Sequence, residues 1–137
     1  MAENNKYDVL LDINNFDEAL KTYIKEKKNF IIFLYGQKDA NGHSWCPDCV
    51  LSEPFVSKAK ERVMQLQSKK EVYFVEIPVD YEKKAVFKEN KIVKMTKIPC
   101  LVYYFKGHEM GRLIEGEMST QESIDEFIDQ IYEDVEE

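Results

Sequence analysis

The chain has 137 residues, of which 44% are apolar and 8 Phe, 8 Tyr and one Trp are aromatic, a size and composition that fit a single domain over residues 1–137 with one packed core. Its 19 basic against 26 acidic side chains give a net charge of −7, a surface that repels a phosphate backbone, so nucleic acid is a poor partner. The polar start Met1–Tyr7 lacks the apolar stretch of a signal peptide, and no later run approaches the ~18 apolar residues that span a bilayer, so a soluble, cytoplasmic monomer off the membrane is expected.

Tyr7 to Ile13 contains a short apolar run that predicts an opening strand. Asn15 followed by Glu18 has the form of a capping box, and Phe16, Ala19, Leu20, Tyr23 and Ile24 recur at helical spacing, which predicts a first helix ending in the Lys25–Lys28 charge run. Phe30 to Tyr35 runs without polar interruption and suits a central parallel strand buried on both faces. Gly36 to Ser44 is a polar, glycine-containing loop that leads into Trp45-Cys46-Pro47-Asp48-Cys49. Beyond it Val50, Phe55, Ala59, Val63 and Leu66 fall near one helical face, with Pro54 as a kink inside the pattern.

Glu71 to Asp80 predicts another buried strand, and Glu82 to Asn90 a short helix. Ile98-Pro99 opens a strand from Cys100 to Phe105, Lys106-Gly107 has turn chemistry, and Met110 to Ile114 returns as a hairpin. Ser119 and Glu122 form a second capping box before Ile124, Phe127, Ile128, Ile131 and Val135 at a 3.6-residue period. The order β-α-β-α-β-α-β-β-α implies an α/β fold: a mixed sheet with helices on both faces, since strand–helix–strand crossovers make parallel neighbours and the hairpin adds an antiparallel one. The acidic tail Glu133, Asp134, Glu136 and Glu137 reads as a solvated helix end.

Three cysteines are an odd number, and a reducing compartment disfavours structural bridges. Cys46 and Cys49 form one Cys-x-x-Cys pair between a buried strand and a helix, where unpaired N–H groups and the helix dipole stabilise a thiolate. Cys46 should sit near the N-cap, exposed, with Cys49 one turn inward and less accessible. In that arrangement Cys46 attacks a substrate disulfide and Cys49 resolves the mixed disulfide, leaving Cys46–Cys49 oxidised. The rival chemistry is zinc, for which His43, Cys46, Cys49 and Cys100 could supply four ligands, but there is no second Cys-x-x-Cys, and Trp45 and Pro47 fit a redox motif better. Otherwise Cys100 reads as a structural strand cysteine, His43 as a loop residue, and Trp45 as a flank of the substrate surface or a packing residue.

Trp45-Cys46-Pro47-Asp48-Cys49 on the strand–helix junction, Pro54 five residues on, Val79-Asp80 ending a strand, Ile98-Pro99 before the hairpin and Gly116 after it resemble the thioredoxin superfamily over nearly the whole chain. The string Lys38-Asp39-Ala40-Asn41-Gly42-His43-Ser44 before the motif, with Glu53-Pro54 after it, is similar to the thioredoxin domain-containing protein 17 group, the fourteen-kilodalton thioredoxin-related proteins. The resemblance implies a thioredoxin fold and a disulfide reductase with no bound cofactor, its Cys46–Cys49 disulfide recharged by thioredoxin reductase with NADPH as the ultimate donor. It further implies cystine, glutathionylated or nitrosylated thiols as substrates, and a cis-Pro99 facing the two cysteines that exposes the Ile98 backbone to substrate and keeps metals off the dithiol.

Two departures stand out. The buried Asp that accepts a proton from the resolving cysteine in ordinary thioredoxins falls on Phe33 here, which cannot. Asp48 is the nearest alternative in sequence, though its charge would also oppose thiolate formation at Cys46, or simply suit a helix start. By alignment Lys97 and Glu115, with Glu117 close by, replace small or apolar rim residues, which together with the long Gly36–Ser44 loop favours small disulfides over bulky protein ones. The competing class is a binding module in which the same fold serves as an adaptor and the dithiol is incidental or regulatory.

Overall fold

A computed structural model describes residues 6–133. Strand β1 spans Asp8–Leu10, helix α1 Phe16–Lys25, β2 Phe30–Gly36, α2 Pro47–Gln65, β3 Tyr73–Val79, α3 Lys84–Glu89, β4 Cys100–Phe105, β5 His108–Ile114 and α4 Gln121–Ile131, with 3-10 turns at Tyr81–Lys83 and Glu115–Met118. The sheet order is β1-β3-β2-β4-β5, with β1, β3 and β2 parallel and β4 antiparallel to both β2 and β5. This is the mixed sheet expected from the chain order.

β2 is central because its six leading residues are apolar on both faces of the pleat. Phe30, Ile32 and Leu34 pack with Phe16, Leu20, Phe87 and Val93 on the side of α1 and α3. Ile31 and Phe33 face the opposite way and pack with Val56, Ala59, Val63, Ile124 and Phe127 of α2 and α4. Alternation along one strand thus feeds two cores. The same logic places α2 over β2 and β3, which fixes where its N-terminus opens.

Several boundaries differ from the sequence reading, each for a local reason. β1 keeps only three residues of the expected Tyr7–Ile13 strand, since it is an edge strand that pairs with β3 alone and leaves Leu10 exposed. The Asn15–Glu18 capping box does not form: the Asn15 side chain accepts from the Asp12 N–H, and the Asp12 carboxylate accepts from the N–H groups of Asn14 and Asn15. At α4 the cap is Thr120, not Ser119, its hydroxyl accepting from the Ser123 N–H, so Glu122 is not the third helical residue of a box. The expected Glu82–Asn90 helix splits into a 3-10 turn and α3, with the Asp80 side chain capping the turn.

β5 begins at His108, earlier than expected, because Lys106 and Gly107, at φ +51° and +88°, make a two-residue hairpin turn with both residues left-handed. A Cβ at Gly107 would also stand 2.9 Å from the Ile24 carbonyl. Pro54 lies inside α2 without ending it. Val135 and the tail residues Asp134, Glu136 and Glu137 lie outside the described residues, as do Met1 to Asn5. Among the described residues no helix is long and apolar enough to cross a membrane.

Candidate redox site

α2 begins at Pro47, eleven residues after Gly36 ends β2, and the loop between them is itself ordered by hydrogen bonds. The Asp39 carboxylate accepts from the Asn41 and His43 N–H groups, which holds its pKa below the ordinary carboxylate value. Lys38 and Ser44 form an antiparallel bridge across the loop. His43 stays in this loop as expected.

Ser44 then connects the loop to the motif. Its hydroxyl donates to the Gly36 carbonyl at 2.7 Å and accepts from the Cys46 N–H at 3.1 Å. Cys46 is the N-cap of α2 and Pro47 its first residue, where a missing N–H costs nothing. Cys46 and Cys49 form a disulfide. The Cys49 N–H donates to Cys46 Sγ at 3.2 Å and the Gly36 N–H to Cys49 Sγ at 3.3 Å, so each sulfur faces a backbone donor. These two donors are the electrostatic feature of the site, since a sulfur that gains negative charge gains most from them.

The expected contrast in accessibility is corrected. Cys46 is only 5% exposed and Cys49 4%. What separates them is direction: Cys46 Sγ lies 3.8 Å from the Ile98 carbonyl oxygen, whereas Cys49 lines a cleft between α2 and the sheet. The Ile98–Pro99 peptide is cis. The loop carrying it is tied to the far rim by the Glu115 N–H, which donates to the Pro99 carbonyl at 2.7 Å. Lys97 and Glu115 form an ion pair at 3.5 Å, and the Glu117 carboxylate turns back to accept from the Ile114 N–H.

Trp45 packs into the fold, as one of the two readings offered for it expects. Its ring is half-buried against the core under α1 and α3, its indole N–H donates to the Val79 carbonyl at 2.8 Å, and it meets the exposed Tyr81 ring edge-on at 5.0 Å. Asp48 is exposed in the first turn of α2. Gly116 has open space where a side chain would be, so no steric demand explains it.

Cys100 does not join the pair. It is fully buried among the residues under α1 and α3, with Arg112 Nη1 3.8 Å from its sulfur, and burial pushes its thiol from 9.0 up to about 11. Among the described residues no group of three or more His, Cys, Asp or Glu side chains is placed to hold a metal ion, so His43 and Cys100 do not complete a four-ligand site with the pair. A raised thiol pKa means that the folded state holds its proton longer than the unfolded chain. The resulting stability is full below pH about 9 and is lost as pH rises towards about 11. Cys100→Ala should therefore flatten the alkaline fall in denaturation midpoint over that window while leaving turnover near wild type. A fall as steep as in the wild type would contradict this account.

Sequence reading missed Gly36 and Ser44. A Cβ on Gly36 would stand 2.6 Å from Ser44 Oγ and 2.8 Å from Cys46 Cβ, so the end of β2 is a glycine because the motif rests directly on it. The only sequence signal was a glycine closing a run of β-formers.

Residues 9–130 match the family model described as "Thioredoxin domain-containing protein 17-like, thioredoxin domain". The chain belongs to this family. It is 30% identical to the mouse protein named thioredoxin domain-containing protein 17 over 101 residues, 69% of this chain and 74% of that one. It is 32% identical to the thioredoxin-like protein Clot of Arabidopsis thaliana over 89 residues, 65% of this chain and 66% of that one. Among solved structures, oxidised thioredoxin O2 of Arabidopsis thaliana superposes with a TM-score of 0.62 at 16% identity, over 92% of this chain and 95% of that chain. Oxidised thioredoxin of Plasmodium falciparum superposes at 0.58 and 14% identity, over 90% and 97%. The fold is therefore that of thioredoxin, with the Cys46–Cys49 pair at the start of α2.

Proposed function

We propose that the protein is a cytosolic thiol–disulfide oxidoreductase working by dithiol exchange, with Cys46 as nucleophile and Cys49 as resolving thiol. The observation that carries this is the pair of backbone donors aimed at the sulfurs at the start of α2, with Ile98 and Pro99 beside Cys46. In the reduced protein the Cys49 N–H and the helix terminus favour the Cys46 thiolate over the thiol. That thiolate attacks one sulfur of a substrate disulfide, the other substrate sulfur leaves with the bonding pair, and a mixed disulfide remains on Cys46. Cys49 then attacks Cys46 Sγ, expelling the second substrate sulfur, so that two electrons pass to substrate and the protein disulfide forms.

Thioredoxin reductase with NADPH is the proposed source of electrons for the next cycle, and cystine, glutathionylated or nitrosylated thiols are the proposed substrates. The rim supports small substrates. Lys97 and Glu115 are 64% and 37% exposed, and a protein docking over them must desolvate both charges or match them. With cystine, NADPH and thioredoxin reductase the protein should consume NADPH catalytically. Stoichiometric consumption that then stops would instead favour an adaptor. With the same reductase, insulin should be reduced far more slowly than by an ordinary thioredoxin. Lys97→Ala with Glu115→Gly should raise insulin reduction, the glycine also suiting the left-handed backbone at residue 115; equal insulin rates for this protein and an ordinary thioredoxin would contradict the substrate range.

A further inference from the structure

A resolving thiol must lose its proton before it attacks, and among the described residues no carboxylate or imidazole is hydrogen-bonded to Cys49, whose sulfur accepts a hydrogen bond only from the Gly36 N–H. Cys49 is 4% exposed, Phe33 stands where a carboxylate could have served, and Asp48 points into solvent from the first turn of α2. The register of the sheet offers a replacement. Phe33 pairs with Glu76 of β3, and residues in register on neighbouring strands project from the same face. The carboxylate absent from β2 therefore stands one strand over, about 4.8 Å across the sheet, on the face covered by α2.

Glu76 is only 25% exposed and accepts from Lys60 Nζ at 3.0 Å, while Lys60 also holds Asp8 at 2.8 Å. A cleft of about 280 Å³ lies between α2 and the sheet, and Cys49, Phe33, Tyr35, Glu53 and Glu76 all line it. At roughly 30 Å³ per molecule it has room for several waters, and its polar lining gives them partners. Glu53, the other carboxylate on the cleft, is nearly half exposed and held by Lys38 at 2.6 Å.

Resting on the dithiol-exchange reading, we propose that Glu76 is the proton acceptor for Cys49, reached through water in this cleft. In the mixed disulfide the Cys49 S–H proton passes along the water to the Glu76 carboxylate. The Cys49 thiolate forms its bond to Cys46 Sγ as the bond from Cys46 to the substrate sulfur breaks. The substrate sulfur leaves with the electron pair and is protonated by solvent, and Glu76 later returns its proton to solvent. The groups that face Glu76 are Asp8 from β1, Tyr35 from β2, Lys60 and Glu53 from α2, and Lys38 from the segment after β2. Burial first, and the Glu76 charge second, push the Tyr35 hydroxyl up to about 12, so it stays neutral and does not compete for the proton.

The test is E76Q in the full chain, reduced and mixed with excess dithiobis-nitrobenzoate, with release of the coloured thiolate followed over time. Attack by Cys46 gives the first release and resolution by Cys49 the second; Cys49→Ser, which gives only the first, identifies the phases. In E76Q the first release should be unchanged. The second should slow at least about tenfold near neutral pH, and the deficit should shrink as pH rises and hydroxide takes over as the base. Equal slowing at every pH, or none, overturns the proposal, as does E53Q slowing the second release when E76Q does not. Should E76Q fail to fold by circular dichroism, E76D serves: it keeps the carboxylate but withdraws it by one methylene from the cleft water, so the second release should slow with the first unchanged, and an unslowed second release overturns the proposal. Absence of both releases in the wild type would overturn dithiol exchange itself, whereas a normal first release with an unaltered second in E76Q overturns only the role of Glu76.

Discussion

Cys49→Ser should turn the protein from a catalyst into a trap. Cys46 keeps its place as N-cap and its hydrogen bond from the residue 49 N–H, so attack on a disulfide proceeds, but no thiol remains to expel the product. A covalent adduct on Cys46 should accumulate to one per chain, and NADPH consumption with thioredoxin reductase should stop. Cys46→Ser should lose both adduct and turnover, because Cys49 lies inside α2 facing the cleft rather than at the helix terminus, and Cys100 is fully buried with its thiol pushed up to about 11. Both variants should remain folded, as neither change alters core volume by more than the difference between sulfur and oxygen. Adduct formation in Cys46→Ser, checked by intact mass, would place the nucleophile elsewhere.

Gly36→Ala should cost nearly as much activity without touching a sulfur. The new methyl group would overlap Ser44 Oγ at 2.6 Å and Cys46 Cβ at 2.8 Å, neither of which is the free end of a long side chain. Relief requires the start of α2 to move away from β2, which stretches the Ser44 contacts to Gly36 and Cys46 and the Gly36 N–H to Cys49 Sγ contact together. Overpacking of this kind costs about 1–3 kcal/mol of stability. A displacement of reacting atoms by an ångström can cost about a hundredfold in rate, so turnover should fall by about that factor in a protein that still melts cooperatively. Wild-type turnover in folded Gly36→Ala would mean that the motif does not depend on this close approach.

What the sequence made legible, and what it did not, divides along physical lines. β2 and α4 were readable because a continuous apolar run and a 3.6-residue apolar period each have one structural solution at their length. The cysteine motif was readable because it joins those two kinds of pattern at a strand–helix junction. Caps were less so. Ser119 and Thr120 are adjacent hydroxyls, and which one caps α4 depends on the 3-10 turn before them, while Asn15 has a second partner in Asp12 that no spacing rule announces.

Gly36 and Glu76 belong to a further class. The first is needed for a contact between residues eight and ten positions apart. The second matters only once β2 and β3 are set in register, since Phe33 and Glu76 stand 43 positions apart in the chain. Neither pairing leaves a local pattern. The low exposure of Cys46 has the same origin, since the residues that cover it, Gly36 and Ile98 among them, come from other parts of the chain.

The central claim is that Cys46 and Cys49 are chemically unequal although they are almost equally buried. Brief alkylation of the reduced protein at neutral pH, followed by peptide mass mapping at increasing times, tests it most directly. Label should appear on Cys46 first and nearly to completion before Cys49, because the helix terminus and the Cys49 N–H favour its thiolate. Labelling of Cys49 ahead of Cys46, or of both at one rate, would contradict the assignment of nucleophile and resolving thiol.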